Sequence, residues 1–199
     1  ESSSPLGPDW RTWPLKAKIR YLERLKRTPA LPQKPTGSLA DPLSMAARTA
    51  TLSRYCPHTP WPKQRAFLDL WQTLEVFYGG AAGPGKTDAL LMAALEFVHV
   101  PQYSALILRR DMPRLSLAKS IMDRSHEWLK NSDAAWDGSK RRWRFPSGAS
   151  IDFGYIDNPK DRFRYASAEY TFIAWEEATE FQLTEDESNP YLFMFSRLR

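Results

Sequence analysis

A short apolar run, Leu74 to Tyr78, leads directly into Gly79-Gly80-Ala81-Ala82-Gly83-Pro84-Gly85-Lys86-Thr87 and then into an Ala- and Leu-rich segment. No other stretch of the chain restricts its folding as strongly. Gly80, Gly85, Lys86 and Thr87 satisfy the pattern G-x-x-x-x-G-K-[ST] between a strand-like and a helix-like segment, the setting in which such a loop wraps a phosphate. Glycines let the backbone curl with its N–H groups turned inward, and the N-terminus of the following helix adds partial positive charge. Lys86 is then placed to reach β and γ phosphates, with the Thr87 hydroxyl as a ligand for Mg²⁺. The bland alternative is an ordinary glycine-rich turn, and against it stands the complete pattern at a strand–helix boundary.

The 199 residues suffice for one sizeable α/β core, or a core with a small appendage. Hydrophobic residues make up 42% and charged residues 26%, and no apolar run approaches the ~20 residues of a membrane span, so a soluble chain without a membrane partner is expected. A single cysteine, Cys56, excludes an internal disulfide and a cysteine metal cluster, and reads as a small buried or half-buried side chain. The net charge of +5 suits contact with a polyanion. Its distribution is uneven: Arg11 to Arg27 and Lys140-Arg141-Arg142-Trp143-Arg144 are basic, whereas Glu176 to Glu187 is acidic. Each basic cluster reads either as a solvated face or as a nucleic-acid contact. The chain starts at Glu1 in Ser-rich sequence without a hydrophobic signal core, which reads as a trimmed, disordered beginning.

Leu15, Ile19 and Leu22 share one face of a basic helical pattern; Thr28 to Ser38, with three prolines, reads as a linker. Asp41-Pro42 has the form of an N-cap and first helical residue for a second helix reaching about Arg54. Residues 1 to 57 are therefore expected to form a helical arm separate from the core at 58–199, with an apolar stripe able to pack back on that core or against a neighbouring subunit. Beyond it, His58 to Gln64 leads into a short helix carrying Phe67, Leu68, Leu70 and Trp71, and a breaker-free helix spans Thr87 to about Val98. Ser104 to Leu108 has the composition of a central parallel strand, with Arg109-Arg110-Asp111 at its carboxyl end, the end at which ligands bind in open α/β sheets. Pro113 to Leu129 reads as one helix, Asn131 to Lys140 as loop, and Arg142–Phe145 with Ala149–Tyr155 as a hairpin around Pro146-Ser147-Gly148. Asp157 to Ala168 reads as a polar loop with at most one helical turn, and Thr184 to Arg199 as a helix.

Thr171-Phe172-Ile173-Ala174-Trp175 is another buried-strand candidate, and it ends directly in Glu176-Glu177. An apolar strand closing in two acids is the Walker B arrangement, in which the first acid holds the Mg²⁺ hydration shell and the second polarises the attacking water. Glu176 stands where Asp is more usual and reaches one methylene further. Two adjacent acids are weak evidence alone and gain weight from the phosphate loop upstream.

Taken together, these features resemble the ATPase half of the large terminase subunit, the genome-packaging motor of tailed bacteriophages. The resemblance covers about Pro57 to Arg199. It rests on Gln64, the loop Gly79 to Thr87, the Leu-Arg-Arg after the second strand, the Phe-Pro-Ser-Gly hairpin at Phe145, Ala168-Glu169-Tyr170, Glu176-Glu177-Ala178-Thr179-Glu180-Phe181, and the closing Ser196-Arg197-Leu198-Arg199. It implies a P-loop NTPase core of the ASCE type, with a mostly parallel sheet flanked by helices, that binds ATP and Mg²⁺ and moves double-stranded DNA. Gln64, Gly80, Gly83, Gly85, Lys86, Thr87 and Asp88 would contact nucleotide, Gln64 by reading the adenine edge; Thr87 and Glu176 would hold the metal. Lys86 and Glu177 would be catalytic, Arg109 a sensor, and Arg164 an arginine acting on a neighbouring subunit, with Arg162 or Arg109 next in line. The resemblance further implies a subunit ring on a capsid portal, a small terminase subunit as partner, and the host cytoplasm as location. The nuclease half and the coupling motif of that family do not occur in these residues, so hydrolysis by this piece alone is expected to be weak. Two other readings stand beside it: a nucleotide-gated DNA-binding or assembly module without turnover, and a P-loop phosphotransferase.

Overall fold

The computed structural model describes residues 43–79, 85–181 and 189–199. The basic helix at Leu15, the proline-rich linker, Asp41-Pro42, Gly80, Gly83 and the start of the helix expected from Thr184 lie outside the described residues. In order, the elements are α1 (Met45–Tyr55), α2 (Pro62–Leu68), α3 (Lys86–Leu95), β1 (Ser104–Arg109), α4 (Met112–Ser116), α5 (Ile121–Leu129), β2 (Ala135–Asp137), β3 (Arg142–Arg144), β4 (Ser150–Tyr155), β5 (Phe172–Trp175) and α6 (Pro190–Phe195). Two 3-10 helices, Pro159–Tyr165 and Ala178–Glu180, flank β5. No helix is long and apolar enough to cross a membrane among the described residues.

The five strands form one sheet in the order β2-β3-β4-β1-β5. It is mixed rather than mostly parallel: β4, β1 and β5 run parallel, whereas β2–β3 and β3–β4 are antiparallel. In the parallel half, β1 and β5 are apolar on both faces, whereas in β4 the apolar Ile151 and Phe153 alternate with Ser150, Asp152 and Gly154. In β1, Ala105 and Ile107 point into one core with Ile151, Phe153 and Ala174, while Leu106 and Leu108 point into a second with Ile156, Tyr170, Phe181 and Met194. Alternating side chains of one strand thus serve two layers. The first core is roofed by Leu52 of α1, Leu68 of α2, Leu91, Met92 and Leu95 of α3, and Ile121 and Leu129 of α5. The second is covered by α6 through Met194 and Phe193.

Several expectations are corrected. Ala135-Trp136-Asp137, read as loop, is the edge strand β2, held by Trp136 stacking on Trp143 at 5.1 Å. The helix expected over 113–129 is two, because the chain turns at Lys119 (φ 65°) and Ser120 opens α5 by accepting a hydrogen bond from the Asp123 N–H. The polar loop at 157–168 holds a seven-residue 3-10 helix, opened by Asn158 and stabilised by Asp161, whose carboxylate accepts from the Asp157 and Asn158 N–H groups. The last helix is only Pro190–Phe195; beyond it the chain returns to bond Tyr170, with the Arg199 N–H donating to the Tyr170 carbonyl. The hairpin turn at Pro146-Ser147-Gly148 is present, with Gly148 at φ 88°.

The first described helix does not stand apart from the core. Ser44 caps α1, and Arg48, Thr51, Leu52 and Tyr55 are buried against the body of the protein. Arg48 donates to Glu96 Oε1 at 2.7 Å and to the Leu68 carbonyl at 2.8 Å, Thr51 meets His99 Nδ1 at 2.7 Å, and Tyr55 donates to Asp133 at 2.9 Å. Residues 45–55 therefore pack as part of the same layer as α2, α3 and α5. The apolar run before the glycine-rich loop, expected as a strand, is not one: its residues 75–79 make no ladder with any strand among the described residues.

Candidate nucleotide site

Gly85 is the N-cap of α3 and sits at φ 70°, ψ 30°, a left-handed conformation that glycine adopts without steric cost. Space matters here as much as torsion. A methyl group on Gly85 would lie 2.6 Å from Gln64 Nε2 and 3.2 Å from a ring carbon of Trp61. Lys86 and Thr87 follow as the first two residues of α3, at the end where backbone N–H groups lack helical acceptors.

Gln64 is wholly buried, and both ends of its amide are engaged. Its Oε1 accepts from the Trp61 N–H at 2.9 Å, closing the start of α2, and its Nε2 donates to the Gly85 carbonyl at 3.0 Å. The residue expected to read adenine thus fastens α2 to the exit of the loop. Asp88 is buried, forms an ion pair with Arg124 on α5 and lies 3.4 Å from His58 Nε2. That carboxylate is engaged within the protein, so the residue expected in the nucleotide set anchors α3. The sequence gives no sign of this pairing, since Arg124 lies on a different helix.

The two chemical stretches converge. Thr87 Oγ1 donates to Glu176 Oε1 at 2.9 Å, joining residues 89 positions apart. The contact follows from topology: β5 ends where α3 begins, and Glu176 extends from its last residue, its N–H bonded to the Leu108 carbonyl. Burial pushes the Glu176 carboxyl above its usual range, opposed by the Thr87 hydroxyl and by Arg109. Arg109, at the carboxyl end of β1, lies with Nε 3.7 Å from Glu176 Oε2 and donates from Nη1 to the Glu176 carbonyl at 3.4 Å. It also faces Glu180 at 3.8 Å.

Glu180 is the member of this cluster that sequence reasoning passed over. Arg110 donates to its carbonyl at 2.6 Å, and Arg114 lies 3.7 Å from its carboxylate. The available signal was its spacing, three residues past Glu177 within one 3-10 turn. Glu177 itself is exposed and holds φ 52°, ψ 53°, a left-handed conformation uncommon for a residue with a side chain. Such strain costs on the order of 1–3 kcal/mol and clusters at working sites.

Arg164 lies elsewhere. It pairs with Asp161 at 2.9 Å and stands over the Tyr155 ring at 4.5 Å, at the end of β4, with β1 between that strand and β5. The basic aromatic run 140–144 is also resolved into its parts. Arg142 pairs with Asp152 and Arg144 with Asp137, while Trp143 is buried and donates to Ser125 Oγ at 2.9 Å. Two of its charges are therefore met within the protein, and its tryptophan belongs to the core.

The chemistry of the donors fits a small hard cation. A hydroxyl and a desolvated carboxylate, both oxygen donors, meet at the mouth of a helix N-terminus. Among the described residues no cluster of three or more His, Cys, Asp or Glu side chains offers a different metal site. No family model, curated protein or solved structure matches this chain.

Proposed function

We propose that the chain is a P-loop ATPase of the large-terminase type, coupling ATP hydrolysis to movement of double-stranded DNA. The observation that carries the reading is the hydrogen bond from Thr87 to Glu176, because it unites a phosphate-loop pattern with a strand ending in two acids. Lys86 and the N–H groups at the start of α3 would bind the phosphates. Thr87 directly, and Glu176 through water, would hold Mg²⁺, which neutralises charge on the phosphates when bound. Arg109 orients Glu176 by gripping both its carboxylate and its carbonyl. Glu177, exposed and released from β5 by its left-handed backbone, would take a proton from the attacking water. The water oxygen bonds to the γ phosphorus as the bond to the bridging oxygen breaks, and ADP leaves with that electron pair.

Arg164 is proposed to complete the site of a neighbouring subunit, since within its own subunit it is engaged by Asp161 and the Tyr155 ring rather than by Glu176 or Glu177. The test is DNA-stimulated phosphate release by the assembled protein. Glu177→Gln should retain ATP binding and lose turnover by ~10²-fold or more. Mixing Glu177→Gln with Arg164→Ala subunits should restore part of the activity, because some interfaces then pair an intact Glu177 with an intact Arg164. A mixture that co-assembles and stays inactive refutes the role of Arg164. ATP binding without any DNA-stimulated release would favour the gated module without turnover.

A further inference from the structure

Most arginines among the described residues face a carboxylate, as Arg48 faces Glu96, Arg124 Asp88, Arg142 Asp152 and Arg144 Asp137. Arg162 and Arg197 face none within ion-pair distance among the described residues. Each is held in place by neutral groups instead. Arg162 Nη1 donates to the Pro159 carbonyl at 2.5 Å, and Arg197 donates from Nη1 to the Ala166 carbonyl at 2.7 Å and from Nε and Nη2 to Ser196 Oγ. Their guanidinium carbons lie over one and the same ring, that of Phe193, at 5.8 and 5.3 Å from its centroid. Arg162 also covers Phe163 at 4.4 Å; this second ring meets Phe193 edge-on and is 58% exposed.

Two like charges, both partly exposed, are thus fixed on a shared aromatic support. Anchored guanidiniums have little rotamer freedom left to lose on binding, and each has more N–H groups than the acceptors it meets within the protein, which leaves charge-assisted donors for phosphate oxygens. We infer that Arg162 and Arg197, backed by Phe193 and Phe163, form a docking surface for the phosphodiester backbone of duplex DNA. The choice of duplex DNA rests on the motor reading above. The surface is also tied to the segment that leads into β5: the Arg197 carbonyl accepts from the Tyr170 N–H at 2.9 Å, two residues ahead of the strand that ends next to Glu176.

The experiment measures binding of a short fluorescein-labelled duplex to the full chain by anisotropy, at several salt concentrations between about 50 and 200 mM. Replacing both residues (Arg162→Gln with Arg197→Gln) should weaken binding on the order of tenfold, and make the slope of log K against log [salt] shallower by about 2, the value for two lost phosphate contacts. Arg162→Lys with Arg197→Lys keeps the charges and should keep most of the slope. Lys119→Gln with Lys130→Gln removes two exposed charges elsewhere and should leave the slope nearly unchanged. The proposal is overturned if the parent does not bind the duplex, or if the glutamine pair binds it with the parent's slope. It also fails if the Lys119/Lys130 pair loses as much. Unchanged DNA binding with a salt-sensitive loss of melting temperature would assign the two arginines to an acidic protein segment, such as Glu185-Asp186-Glu187 of this chain, in place of DNA. Titration of the same variants with Mg–ATP, expected to match the parent, keeps this result separable from a failure of the ATPase reading.

Discussion

Replacing Arg48 by Met tests how α1 is held to the core, and the structure sets both the size and the pH dependence of the outcome. The Arg48 and Glu96 side chains are 5% and 2% exposed, and the guanidinium is bounded by Glu96, the Leu68 carbonyl and the rings of Trp71 and Phe97 at 5.0 and 5.5 Å. Burial pushes the Glu96 carboxyl up to about 7, against the downward pull of Arg48. Removing the arginine removes that pull, so the folded-state value rises further above the unfolded one. A carboxyl raised in the folded state contributes stability below its unfolded pKa and loses it as pH rises through the folded value. Parent and variant both hold the proton at pH 5, so there Arg48→Met should cost about 1–2 kcal/mol, for the hydrogen bond to Leu68 and the aromatic contacts. At pH 8 the variant must either bury an uncompensated carboxylate or keep it protonated, and the cost should reach about 3–5 kcal/mol. For a chain of this size that is a drop of roughly 10 °C in melting temperature. Thermal unfolding at both pH values reads the difference directly, and adding Glu96→Gln to Arg48→Met should abolish most of the pH dependence. Equal losses at pH 5 and pH 8, or a double variant as unstable as the single at pH 8, would refute the reasoning.

Lys86→Ala should abolish tight Mg–ATP binding in a calorimetric titration while leaving the circular dichroism spectrum unchanged; parental affinity would remove the phosphate-loop assignment. Thr87→Val deprives the buried Glu176 carboxyl of its hydroxyl donor, which should raise that carboxyl further and cost about 1–3 kcal/mol. The same linkage makes this loss larger at pH 8 than at pH 5, and melting curves showing the reverse order would contradict it. Gly85→Ala forces a methyl against Gln64 and a side chain into positive φ, so it should lower the urea midpoint by the equivalent of about 2 kcal/mol or more, with an unchanged slope.

What could be read from the chain was whatever depends on a run of like residues. Ala105 to Leu108 is apolar without alternation and too short for a buried helix, which suits a strand with apolar side chains on both faces, and Phe172 to Trp175 follows the same logic. Pro146-Ser147-Gly148 announced its turn because Gly148 alone tolerates φ 88° there. Local composition fails where pairing decides. Ala135-Trp136-Asp137 becomes a strand only because Trp143 and the β3 backbone lie opposite, whereas Leu74 to Tyr78 has the composition of a strand and finds no ladder partner among the described residues. The candidate site divides in the same way. Gly85, Lys86, Thr87 and Glu176 were legible from motif and order, but the commitment of Gln64 to Gly85 and of Asp88 to Arg124 and His58 arises from contacts between distant segments.

Those contacts have a mechanical consequence. Helix α3 is pinned at its start by Gln64, one turn on by Asp88, and just past its end by the Arg48–Glu96 pair, so three separate segments oppose its rotation or sliding. Glu176, by contrast, stands at the end of β5, an edge strand of the sheet among the described residues, and is met by Arg109 and by the Thr87 hydroxyl of α3. In a site built this way the helix acts as a fixed jaw. The Thr87–Glu176 contact thus joins a helix held by three segments to a strand laddered along one side only among the described residues, and just ahead of that strand Tyr170 is tied to the returning chain at Arg197 to Arg199.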